Sequence, residues 1–86
     1  MQVVAESKVS DRSSNERKFG SWAPRPSGGR VYRRVVAGRS GWSAAYCKEV
    51  DADENTLRFW QEIFDDEGRL REIHEKFPVD RGHKRV

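Results

Sequence analysis

Leu57-Arg58-Phe59-Trp60-Gln61-Glu62-Ile63-Phe64-Asp65-Asp66-Glu67-Gly68-Arg69-Leu70-Arg71-Glu72-Ile73-His74-Glu75-Lys76-Phe77 is the stretch that decides the fold. Two hydrophobic runs, 57–64 and 70–77, flank an acidic turn. Leu57, Trp60 and Phe64 keep i, i+3, i+7 spacing, as do Leu70, Ile73 and Phe77, and Asp66 and Pro78 are placed to cap and stop a second helix. In an extended chain, by contrast, Leu57, Phe59 and Ile63 face one way and Trp60 and Phe64 the other. Aromatic and β-branched neighbours suit a sheet, and Asp65-Asp66-Glu67-Gly68, with Gly68 at positive φ, closes a hairpin. The hairpin is the favoured reading, and helices are the alternative.

Working outward, Val31–Ala37 is a strand rich in β-branched and aromatic residues between glycines. Gly38–Gly41 turns the chain, Trp42–Val50 alternates as a half-buried second strand, and Asp51–Asn55 closes it with turn formers. The expectation is a mainly β protein: a small antiparallel four-stranded meander, with α+β as the alternative if the last one or two elements are helical. Residues 1–29 hold few large apolar side chains and end in Ala23-Pro24-Arg25-Pro26-Ser27-Gly28-Gly29, so they read as a disordered basic arm and linker. Residues 30–86 are then a single small folded domain, near the lower size limit for independent folding.

The single Cys47 rules out an intramolecular disulfide, the usual staple of a small extracellular domain, and points to a cytoplasmic address. Its apolar surroundings suit a buried thiol better than a nucleophile. No run of about 18 apolar residues spans a membrane, and no apolar leader precedes the arm. The net charge of +3 is polarised: +2 over residues 1–29, +4 over 30–47, −6 over 48–75 and +3 over 76–86. Such a chain is suited to phosphate binding through its ends, to homo-oligomer formation through opposite patches, or to docking on a basic protein.

The chain lacks a phosphate loop, a nucleophile elbow and paired metal ligands, so neither a cofactor nor a metal is expected. His74 and His83, with Arg81, Lys84 and Arg85, supply the residue types that metal-independent RNA cleavage needs. Imidazoles move protons near neutral pH, and cations hold the phosphate. A second cluster, Arg30, Tyr32, Arg34 and Arg39, sets cations beside a ring on which a base could stack. Arg33 and Arg34, being adjacent, point to opposite faces of a strand.

Phe59-Trp60-Gln61-Glu62-Ile63-Phe64, the turn Asp65-Asp66-Glu67-Gly68, His74 and the close Gly82-His83-Lys84 together resemble the TumE-like family of small toxin components from bacterial toxin–antitoxin loci. The resemblance covers about the last thirty residues, and Arg85 stands where a His-x-His close would place a second histidine. It implies a compact sheet and an interaction with nucleic acid or an antitoxin-like partner. The leading expectation is a small nucleic-acid-binding protein, RNA preferred and toxin-like, with metal-independent ribonuclease activity as its enzymatic form. The competing expectation is a non-enzymatic inhibitor or adaptor that binds a partner protein through its acidic turns.

Overall fold

In the computed structural model, which describes the backbone of residues 3–86 and the side chains from Asp11 onward, six strands form one antiparallel sheet in chain order. They are β1 (Ser21–Pro24), β2 (Arg30–Ala37), β3 (Ser43–Val50), β4 (Thr56–Phe64), β5 (Leu70–Phe77) and β6 (Gly82–Arg85), preceded by helix α1 (Val3–Phe19). The four expected strands are β2 to β5, and the 57–77 stretch is the hairpin rather than helices. Gly68 takes the positive φ of 80° that its turn requires. The four-strand count is corrected to six. β1 was hidden by Pro24 at its end and Pro26 just beyond it, and an edge strand tolerates a proline because its outer N–H groups have no ladder partner. β6 was hidden by its short, wholly polar sequence.

Within residues 1–29, read from sequence as an arm and linker, the described part carries α1 and β1. The helix docks through Arg12, Asn15, Glu16 and Phe19, an i, i+3, i+4, i+7 stripe that is polar except at its last member. Arg12 Nε and Asn15 Nδ2 donate to Glu54 at 3.1 and 3.2 Å, and Glu16 accepts from Arg30 at 2.7 Å. Phe19 completes a small core with Tyr32 and Val50, and Tyr46 and Phe59 pack against it. Gly20, at φ 83°, ends the helix as its amide bonds to the Glu16 carbonyl at 3.0 Å.

Three hairpins share one five-residue turn: 25–29, 51–55 and 65–69. In each, the first amide bonds to the fifth carbonyl and the fourth amide to the first carbonyl. The fourth residue has positive φ: Gly28 at 92°, Glu54 at 65° and Gly68 at 80°.

The face away from α1 has no second layer. Ala45 and Cys47 are nonetheless buried there, roofed by neighbours on the same sheet. Arg33 lies over the Phe64 ring and pairs with Glu62, and Arg58 lies over Trp60 and pairs with Glu75. Burial raises the Cys47 thiol pKa, so it is a packing residue.

Candidate functional site

On the face where α1 packs, strand register draws five polar side chains into one line. Arg34 lies opposite Tyr46, and Tyr46 opposite Gln61. Gln61 lies opposite His74, and His74 opposite His83. The row crosses β2 to β6, about 19 Å at about 4.8 Å per strand. Gln61 Nε2 donates to the Tyr46 hydroxyl at 3.2 Å. Lys76 hangs over the same region, its ammonium 5.5 Å from the Tyr46 ring centre and 5.9 Å from that of Phe59. The next line carries Glu72 opposite Arg85, so Arg85 shares this face, while Lys84 falls on the other.

The two histidines, nine residues apart in sequence, have ring centres 4.4 Å apart. Each is tethered to a carboxylate. His74 Nε2 lies 2.6 Å from Asp80 Oδ1, and His83 Nδ1 lies 3.1 Å from Glu72 Oε1. Asp80 also accepts from the Gly82 amide at 3.0 Å, which fixes the β5–β6 turn beneath the pair. The Gly82 N–H, then His74, hold the Asp80 carboxyl below its ordinary range. Exposure divides the two rings. The His74 side chain is 15% exposed and its Nδ1 is buried without a partner among the described residues, whereas His83 is 47% exposed and is tethered through Nδ1.

The cluster predicted around β2 does not assemble. Tyr32 is fully buried, its ring packed between Phe19 and Trp22 and its hydroxyl donating to Glu54 at 2.7 Å, so no base can stack on it. Arg30 is held by Glu16 and lies 5.1 Å from the Trp22 ring centre, a structural placement. Arg39 sits in the β2–β3 turn, at the sheet end where Gly41 approaches Asp66. Arg81 lies in the β5–β6 turn, its amide bonded to the Glu75 carbonyl. Arg34, Arg85, His74 and His83 remain on one face. Of the residues that sequence spacing did not single out, Tyr46 and Gln61 join them through register, Lys76 by lying over the Tyr46 and Phe59 rings, and Asp80 through the β5–β6 turn.

Compared with known proteins, the chain matches no family model, no curated protein and no solved structure. Among the described residues, no group of three or more His, Cys, Asp or Glu is arranged to hold a metal ion, and no helix is long and apolar enough to cross a membrane.

Proposed function

We propose that the chain binds RNA along the Arg34–Tyr46–Gln61–His74–His83 row, with Arg34, Lys76 and Arg85 meeting phosphates and His83 contacting the backbone at the β6 edge. The observation that carries this reading is the row itself, which puts cations and an open imidazole on the face that also presents Tyr46 and Phe59. Cations beside rings are what a nucleic-acid strand requires. The Gln61 amide and Tyr46 hydroxyl, mid-row, suit the 2′-hydroxyl that distinguishes RNA from DNA.

Binding is favoured over cleavage. Taking a proton from the 2′-hydroxyl and giving one to the leaving oxygen requires two groups that reach the substrate. His83 offers Nε2, whereas both nitrogens of His74 are committed or buried. His74 is therefore a positioning residue that stacks against His83. The acidic segment offers less to a basic partner protein. The Asp51 and Asp65 carboxylates are engaged by amides of their own turns, Glu54 by Arg12, Asn15 and Tyr32, and Glu49 by Arg25.

Fluorescence anisotropy of a labelled single-stranded RNA between 50 and 200 mM salt, roughly the range over which counterion release is pronounced, tests the proposal. Affinity should fall linearly on logarithmic axes, and Arg34→Ala or Arg85→Ala should weaken binding and reduce the slope by about 1. Absence of salt-sensitive binding at micromolar protein rejects the reading. Equal affinity for DNA of the same sequence removes the RNA preference. Release of 2′,3′-cyclic ends, abolished by His83→Ala, would restore a catalytic role.

A further inference from the structure

Beside the C-terminal end of α1, two adjoining clefts open on the face that carries the row. One, of 310 Å³, is lined by Lys18, Phe19, Arg34, Val36, Tyr46 and Phe59. The other, of 370 Å³, shares Lys18, Phe19 and Phe59 with it and adds Lys48, Thr56 and Phe77. Their walls are rings and their rim is cationic. Among the described residues, none of Lys18, Arg34, Lys48 or Lys76 is in a salt bridge. Lys48 instead donates to the Asn15 side-chain oxygen at 3.0 Å. Burial, followed by the neighbouring charge of Lys18, lowers the Lys48 pKa, with Asp11 and Glu54 acting in the opposite sense. Among the described residues, positive charge is thus gathered around an apolar hollow without a salt-bridge partner. An anion carrying a flat apolar body complements both features.

We infer that the cleft lined by Phe19, Tyr46 and Phe59 receives one unpaired base of a single-stranded RNA, against the Phe59 ring, with phosphates on Lys18, Arg34 and Lys76. This rests on the RNA reading above and narrows it to single strands. Tyr46, on the cleft wall, is three strands from His83, about 14 Å. One strand can therefore occupy the cleft and the β6 edge together. A duplex keeps its bases paired and stacked, so along its length it offers phosphates, sugars and base edges but no base face to this cleft. Stacking against Phe59 is indifferent to base identity, because every base has a π-face. The cleft therefore selects for strandedness more than for sequence.

Three probes separate the contributions: octauridylate, a blunt RNA duplex and inorganic polyphosphate, which carries charge without bases. Octauridylate should bind at least tenfold more tightly than the duplex at equal salt. Phe59→Leu should weaken octauridylate about tenfold, the size of one lost stacking contact, and leave polyphosphate unchanged. Arg34→Ala should weaken both. Phe77→Ser, at the exposed mouth of the second cleft, provides a further variant that does not disturb the core, and should weaken octauridylate several-fold. If duplex and polyphosphate bind as tightly as octauridylate, or if Phe59→Leu folds and Phe77→Ser and Phe59→Leu both bind octauridylate like the parent, the base cleft is overturned while the phosphate-binding row stands. If none of the three probes binds, the row and the cleft fall together.

Discussion

Glu54 stands fourth in its five-residue turn, the place taken by Gly28 and Gly68 in the other two. A non-glycine residue at positive φ costs about 1 kcal/mol or more, so its side chain must return at least that. It does so as the joint between α1 and the sheet. Its buried carboxylate accepts from Arg12, Asn15 and Tyr32. Burial, the largest single influence, pushes the Glu54 pKa up, but the three hydrogen bonds and the Arg12 charge outweigh it and leave the group below its ordinary range. Glu54→Gly removes the backbone strain but leaves the buried Tyr32 O–H without its acceptor, which costs about 1–3 kcal/mol, and removes the bonds to α1. Urea unfolding should therefore show a net loss of about 2 kcal/mol. A more stable variant would mean that the strain outweighs the joint. In sequence, Glu54 is one acid in an acidic cluster, and only the positions of Arg12, Asn15 and Tyr32 give it this role.

The legibility of each element tracks how it is held. β2 to β5 are rich in aromatic and β-branched side chains and are bounded by local turns, so composition foretold β2 and β3 and favoured the β4–β5 hairpin. Helix α1 has no apolar stripe. Its docking residues bond to Arg30, Lys48 and Glu54, all distant in sequence, and among the helix's described side chains Phe19 carries the hydrophobic contact. Phe19→Ala should then destabilise the protein by about 3 kcal/mol, within the range for core aromatics, and lower the thermal midpoint by roughly 12–24 °C for a domain this size. A midpoint within a few degrees of the parent would return residues 1–29 to the status of a dispensable arm. β6 was illegible for another reason. Gly82-His83-Lys84-Arg85 has no strand signature, and it becomes a strand because β5 offers an open edge and Asp80 shapes the turn that delivers it.

At the scale of the molecule, one sheet layer with a helix over part of one face leaves a small core, and stability leans on buried and tethered carboxylates. Glu54, Asp65, Glu75 and Asp80 all have pKa values depressed in the folded state. For Asp65 the leading cause is the Arg69 amide, and for Glu75 it is the Arg58 guanidinium. A depressed carboxyl contributes stability that is full above its unfolded value, about 4, and is lost as pH falls through the folded value. The thermal midpoint should stay level from pH 7 to about 5 and fall steadily below about 4. Glu54→Gln should flatten that fall, and an identical acid profile for the two proteins would remove Glu54 from the linkage. By itself the sequence determined β2, β3 and the opposed faces of Arg33 and Arg34, and it favoured the hairpin at Gly68 over helices without deciding between them. All of these follow from local backbone preference and the two-residue period of a strand. Only the tertiary structure decided that α1 docks, that Tyr32 is core, and that Arg34, Tyr46, Gln61, His74 and His83 form one line. Cross-strand register in this meander depends on turn geometry and on the irregularities at Glu49/Val50, Phe59/Trp60 and Ile63/Phe64, and no local pattern records where those shifts fall.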